Sequence, residues 1–487
     1  MAEPLTWFSS TIWPWVIVVV HGIVVVVASS HVVLTKRDSR SAIGWVGIIW
    51  LTPIVGSLLY FSFGINRIQR KARLLRAGQG KIDSSPGHQR VEEEVLHQVL
   101  GEDGLHLAPL IKYVSRLSHL PLLDGNCVTP LTTGREAYDQ MLAAIDGAER
   151  SIGLMTYIFD NDDAGHIFVE ALARAVERGV AVRVLIDDVG ARYTFPSIKR
   201  LLRRNKVPFA TFLPTVIPGR MHYANLRCHR KILVVDGKIG FTGGMNIRRG
   251  HLCEPGDRSP IIDLHFRVDG PVVAHLAESF AFDWDFATDE RLEGSAWFPR
   301  LSPGGQSLCR GIPDGPDFDI DKIVLTILGA IGCARDSIEI VTPYFLPEPP
   351  LITALGVAAM RGVSVNIILP ERGNLKMVEW ACMAQLWQVL QRGCRVWLSP
   401  PPFDHTKIML VDGVWSLIGS ANWDPRSLRL NFEFNVECYD RDLASQLGSL
   451  MHAKRAAARE ITLADVDGRP FWRRLRDGVC RLALPYL

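Results

Sequence analysis

The chain has 487 residues, 48% of them hydrophobic and 22% charged, with a net charge of +3. That composition is globular rather than disordered, and the length has room for about three domains of roughly 150 residues each. A nearly neutral balance argues against a protein whose main work is coating nucleic acid, although it leaves room for a local basic site. The nine cysteines are scattered, odd in number and free of any C-x-x-C pair. They read as reduced thiols in a reducing compartment, with no zinc spacing.

The chain opens on an uncharged run, "TIWPWVIVVVHGIVVVVASSHVVL", from Thr11 to Leu34. It is long enough to cross a bilayer core of about 30 Å. A second run, "SAIGWVGIIWLTPIVGSLLYFSFGIN", extends from Ser41 to Asn66. The expectation is a transmembrane hairpin within residues 1–77, with spans at about 11–34 and 41–65 and Trp7, Trp13 and Trp15 as an interfacial belt. A cleaved signal peptide fits poorly, because a basic leader is missing and the apolar core is too long. Arg67, Arg70, Lys71, Arg73 and Arg76 favour a cytoplasmic body, while Lys36, Arg37 and Arg40 in the connecting loop pull the other way. The larger cluster and the reduced cysteines point to the cytoplasm. Pro53 and several glycines leave a re-entrant second segment open.

Residues 78–124 are polar and mixed in charge, and read as a linker with a short helix. Beyond them the chain repeats itself. "MLAAIDGAERSIGLMTYIF" (Met141–Phe159) parallels "ILGAIGCARDSIEIVTPYF" (Ile327–Phe345), an amphipathic helix running into a Ser-Ile strand. "ALARAVERGVAVRVLID" (Ala171–Asp187) parallels "ALGVAAMRGVSVNIILP" (Ala354–Pro370), with Gly179 and Gly362 as helix-ending caps. The repeat implies two similar α/β domains with mixed sheets, at 125–300 and 301–487, packed about a pseudo-twofold axis.

The third repeated pair carries the chemistry: "HRKILVVDGKIGFTGG" and "HTKIMLVDGVWSLIGS". Each is His-x-Lys, four residues, then Asp: His229, Lys231, Asp236 and His405, Lys407, Asp412. Residues two apart on a strand share a face, so each histidine stands beside its lysine. The Asp-Gly pair is a hairpin signal. Each hairpin ends on small residues and an asparagine: Gly243, Gly244, Asn246 and Gly419, Ser420, Asn422. A single such motif is more often an exposed strand edge; two copies with matching flanks reverse those odds.

Two histidines and two lysines related by a twofold suit phosphodiester chemistry. One neutral imidazole attacks phosphorus while the other, protonated, donates to the leaving alkoxide. Lysines and asparagine amides stabilise the non-bridging oxygens, and small residues allow close backbone approach. Each motif Asp, if within reach, would orient an imidazole. No carboxylate cluster for a two-metal site accompanies the motif, so no catalytic metal and no cofactor are expected.

The doubled H-x-K-x4-D with its G-G/S-x-N tail resembles the HKD signature of the phospholipase D superfamily. The leader "GSLLYFSFGINRIQRKAR" and the segment "IDLHFRVDGPVVAHLAESFAFDW" resemble the bacterial cardiolipin synthases within it. The likeness covers nearly the whole chain; Leu226 and Cys228 depart from the Asn-rich sequence common before the first motif histidine. The resemblance implies a phosphatidyltransferase of the bacterial inner membrane, taking phosphatidylglycerol as donor and acceptor and releasing glycerol. It implies His229 as nucleophile, His405 as acid and base, and Lys231, Lys407, Asn246 and Asn422 (with Ser420 nearby) on the phosphate. Asp236 and Asp412 would be structural and orienting groups. Glu433, in "NFEFN", could meet a histidine's distal nitrogen or be an ordinary strand carboxylate. Trp284 and Trp423 are candidates for acyl-chain contact, although such tryptophans more often pack cores. The chemistry alone leaves open a hydrolase, another acceptor alcohol or phosphatidylethanolamine, an HKD nuclease and an inactive scaffold; oligomeric state is not readable.

Overall fold

The computed structural model describes residues 13–36, 39–64, 93–213, 226–257, 259–317 and 319–482. Two compact units are present, Met1–Leu74 and Leu75–Leu487. In the first, helix α1 (Trp13–Thr35) is apolar throughout, and its stretch Trp15–Thr35 is, among the described residues, the one helix long and apolar enough to cross a membrane.

The second expected span is divided. Helix α2 (Ser39–Leu51) stops at Thr52, whose φ of −139° and ψ of 77° are not helical, and α3 (Pro53–Leu59) starts on a proline that cannot donate a hydrogen bond. The two helices fold sharply back on one another. A Cβ on Gly56 would lie 2.5 Å from the Ile48 carbonyl oxygen, whereas a straight helix would separate those residues by about 12 Å. A π turn, Tyr60–Gly64, closes the unit. The Tyr60 hydroxyl lies 2.8 Å from His31 Nδ1 and 3.2 Å from Thr35 Oγ1, so the segment ends beside the end of α1 from which it set out. Hydropathy cannot register this turn, because both arms are equally apolar. Trp13 and Trp15 are exposed; Trp7 and the cluster Arg67–Arg76 lie outside the described residues.

The second unit is built on one 16-stranded mixed sheet. In its first half, strands Ser151–Thr156, Ala181–Asp187 and Phe209–Phe212 run parallel, and Ile232–Val235, Ile239–Gly243, His265–Asp269 and Leu123–Leu131 follow in that order, each antiparallel to its neighbour. The second half repeats this with Ser337–Val341, Ser364–Pro370 and Arg395–Ser399, then Ile408–Val411, Trp415–Gly419, Asn431–Tyr439 and Ser307–Asp314. The halves join where Leu123–Leu131 pairs with Ser307–Asp314, so the order of equivalent strands reads alike from either edge. Apolar helix faces cover each half, giving separate cores around Phe168, Leu172 and Val184 and around Leu355, Ile367 and Trp415.

Part of the segment read as a linker belongs to the second core. Helix Ala108–Leu117 buries Leu110, Ile111 and Val114, the i, i+1, i+4 face of an amphipathic helix, against the second half. Trp284 and Trp423 are also core: Trp284 Nε1 donates to Glu290 at 2.9 Å, and Trp423 stacks on Phe345.

Candidate active site

Each motif histidine stands at a crossing point rather than within a strand. Arg227–Cys228 pairs with Asn431–Phe432 of the other half, and four residues later Ile232–Val235 rejoins its own half. His229, Arg230 and Lys231 bridge the two. The second motif does the same: Phe403–Asp404 pairs with Ile261–Ile262, then Ile408–Val411 returns. Backbone bonds pin each histidine across the interface, from His229 N–H to Phe432 O at 2.9 Å and from His405 N–H to Ile262 O at 2.7 Å. Arg230 is buried and donates to Asp283 at 2.7 Å, which anchors the first crossing from behind.

His229 and His405 line one cavity of about 420 Å³, together with Asn246 and Asn422. Each Nδ1 is held by a carboxylate from the opposite half: His229 by Glu433 at 3.0 Å and His405 by Asp263 at 2.6 Å. With Nδ1 occupied, Nε2 is the nitrogen left for the cavity. The carboxylates are repeat equivalents, since Gly243 pairs with His265 and Gly419 with Asn435, two residues beyond each. Asp263 has this place although its sequence context alone did not mark it; superposing the repeats on Glu433 is the signal that finds it.

The lysines are buried behind the rings. Lys231 Nζ donates to the His229 carbonyl at 2.7 Å; Lys407 Nζ bonds the His405 carbonyl and lies 2.9 Å from His405 Nδ1. Burial pulls Lys231 down to about 7, with Lys407 adding to the fall and Glu433 opposing it. Lys407 is lowered as well, chiefly by burial. Burial also lowers His229, against the pull of Glu433, and lowers His405 further, with Lys407 and Lys231 adding to the effect. Burial thus favours the neutral form of both rings, the form suited to attack.

Several expected residues stand elsewhere. Asp236 and Asp412 do not meet a motif imidazole. Asp236 accepts from the backbone N–H groups of Glu149, Arg150 and Ser151; Asp412 accepts from those of Arg335, Asp336 and Ser337, and pairs with His106 Nε2 at 2.6 Å. Both residues have positive φ, as do Gly237 and Gly413 after them, which is the tight-turn geometry that the Asp-Gly pair signals. Their carboxylates tie each hairpin to the preceding helix–strand junction. Ser420 and Glu433 lie behind His229 rather than on the cavity wall: the Ser420 hydroxyl donates to Glu433 at 2.5 Å. Asn246 Oδ1 accepts from the Ile158 N–H at 3.0 Å, just past the strand Ser151–Thr156. The cavity also holds Arg227, Arg248 and Arg426, cations that lie outside the repeated motif.

The fold and the cavity define the class first. A family model described as cardiolipin synthase, phospholipase D-like domain, matches residues 141–284 and 327–454, one copy per half, and a phospholipase D-nuclease N-terminal model matches residues 23–64. The phosphatidylserine synthase of Haemophilus influenzae Rd KW20 has a similar fold (TM-score 0.62 at 15% identity, over 78% of this chain and all of that one). Cardiolipin synthase A of Pseudomonas putida strain F1 is 32% identical over 95% of this chain and 96% of its own length. The major cardiolipin synthase ClsA of Bacillus subtilis strain 168 is 30% identical over 93% and 95%. The chain belongs to the cardiolipin synthase family of phospholipase D-like proteins.

Proposed function

We propose that this enzyme makes cardiolipin from two phosphatidylglycerols through a phosphatidyl-histidine. The observation that carries the reading is the pair of buried imidazoles facing one cavity, each braced at Nδ1 by its own carboxylate. His229 Nε2 attacks phosphorus, forming the P–N bond as the P–O bond to glycerol breaks. His405, protonated, gives its proton to the leaving alkoxide. It then takes a proton from a glycerol hydroxyl of the second lipid, whose oxygen attacks phosphorus and breaks the P–N bond. Burial lowers both rings, so His229 takes the first role on the family resemblance and not on a difference between the two imidazoles. The bound phosphodiester supplies the negative charge that favours protonation of His405. The amides of Asn246 and Asn422, on the cavity wall, stabilise charge on the non-bridging oxygens, and Lys231 and Lys407 add positive charge from behind the rings. Chromatography of products from labelled phosphatidylglycerol tests the reading: cardiolipin plus glycerol is expected, and phosphatidic acid without cardiolipin would overturn it.

The finer membrane arrangement belongs to the same reading. In place of two full spans, α1 crosses the bilayer and α2–α3 enters and returns on the side of Thr35, as the Tyr60–His31–Thr35 contacts support. The sequence clusters Lys36–Arg40 and Arg67–Arg76 then share the cytoplasmic face of a bacterial inner membrane, and their pulls no longer conflict. A protease site fused to the N-terminus checks this in spheroplasts. Cleavage from outside is expected, and protection until the cells are lysed would restore the two-span hairpin.

A further inference from the structure

The helix Phe471–Leu482, "FWRRLRDGVCRL", has an outer face that no described residue of the second unit covers. Phe471, Trp472, Leu475, Val479 and Leu482 are each more than half exposed. At 3.6 residues per turn these five fall within an arc of about 100°. The helix is seated through its other side. Asp477 and Cys480 are buried, Asp477 pairs with Arg469 and Arg476, and the Arg476 guanidinium lies 4.1 Å over the Trp380 ring. The apolar stripe is therefore not the side on which the helix is seated.

Charge identifies the occupant. Four arginines stand against one aspartate on the helix; Arg474, about 60° beyond the edge of the stripe, is exposed, and so is Arg473 further round. Aromatic and aliphatic residues on one face, arginines on the polar face and modest overall hydrophobicity are the features of a helix lying in the headgroup region of an anionic bilayer. Placement agrees with this. Cys480 packs in one cluster with Leu346 and Val378, and both of these line the active-site cavity. Leu375, on the cavity wall at the start of the neighbouring helix Lys376–Met383, and Met377 in its first turn add exposed apolar surface at that rim.

We infer that the helix Phe471–Leu482 is an interfacial docking element that seats the rim of the active-site cavity on an anionic phospholipid surface. A diacyl substrate then moves from the bilayer into the cavity without its chains crossing open water. The inference does not depend on which acceptor alcohol the enzyme uses.

Hydrogen exchange on the full-length chain in nanodiscs tests it. Residues 471–482 should exchange at least several-fold more slowly in phosphatidylglycerol discs than in phosphatidylcholine discs or detergent. The substitutions Trp472→Asp and Leu475→Asp together should remove that protection and leave exchange of the sheet unchanged. The same double variant should turn over long-chain phosphatidylglycerol in discs about tenfold more slowly, yet match the parent on a short-chain, monomeric phosphatidylglycerol. Arg473→Gln with Arg474→Gln should weaken protection in anionic discs and blunt its loss with added salt. Equal exchange in both kinds of disc and in detergent would overturn the inference. So would protection that grows with protein concentration in detergent alone, which would mark a contact between copies of the chain.

Discussion

The two half-sites are built to one plan with different parts. On the His229 side the carboxylate is the longer Glu433, and its charge is shared: it accepts from His229, from the Ser420 hydroxyl and from Asn431 Nδ2 at 3.2 Å. On the His405 side the carboxylate is the shorter Asp263, which accepts from the Leu264 N–H at 2.8 Å and lies 3.9 Å from Lys407 Nζ. Gly244 stands where the other half has Ser420, and a Cβ there would collide with both oxygens of Asp263. The short carboxylate and the glycine fit one another, as do the long carboxylate and the serine. A doubled fold can therefore keep its symmetry in the backbone while giving its two imidazoles different electrostatic surroundings.

The largest effects separate the two rings. His229→Ala and His405→Ala should each lower kcat by about 10⁴-fold or more. Only the His405 variant should still accumulate label on protein when a reaction with phosphorus-labelled phosphatidylglycerol is stopped by denaturation at alkaline pH, where a P–N bond survives. Label in the His229 variant alone would exchange the roles.

Next come the braces. Asp263→Asn and Glu433→Gln keep shape but remove the charge that fixes each ring's tautomer, and a loss of about 10²- to 10⁴-fold is expected for each, by analogy with an orienting aspartate. The two variants should move opposite limbs of the pH profile. Identical profiles would mean that the difference between the half-sites carries no function.

Exchanging the supporting residues gives smaller effects. Gly244→Ser overpacks Asp263 and should cost about 1–3 kcal/mol of stability, read as a lower unfolding temperature, with impaired turnover. Ser420→Gly removes the hydroxyl's bonds to Glu433 and to the Phe434 backbone, each worth about 1 kcal/mol, and should change kcat only a few-fold. Equal penalties would show that the pairing of residue with carboxylate is incidental.

The mildest test is titration. Lys231, at about 7, is charged below that pH and neutral above it, so kcat/KM should fall as pH rises through about 7. A bound phosphate stabilises the ammonium, so the matching limb in kcat should lie at higher pH. Lys231→Met should abolish the limb in kcat/KM; its persistence would assign the titration to another group.

The repeats made the doubled α/β architecture legible, because helix, strand and Asp-Gly turn signals recur in the same order. His229, Lys231, His405 and Lys407 were legible for the same reason. Asp263 and the crossed pairing were not, since they depend on which half a two-residue strand docks against, and Arg227–Cys228 and Phe403–Asp404 are too short to announce a partner. Asp236 and Asp412, expected to be structural and orienting groups, hold backbone N–H groups and meet no motif imidazole, because proximity in sequence to a histidine does not survive a tight turn that points the carboxylate the other way. Arg248 and Arg426 carry no repeat signature, and only the closed cavity collects them. The fold-back at Thr52–Pro53 escaped because composition reports how apolar a segment is and not where its ends meet.

The crossed bracing also works as an assembly check. A half that has folded without its counterpart holds a histidine and a lysine but no carboxylate at Nδ1, and its motif strand has no edge to rest on. A chain whose halves have not docked therefore lacks the carboxylate brace at either motif imidazole, so under the proposed mechanism the site is complete only once both halves have closed on one another.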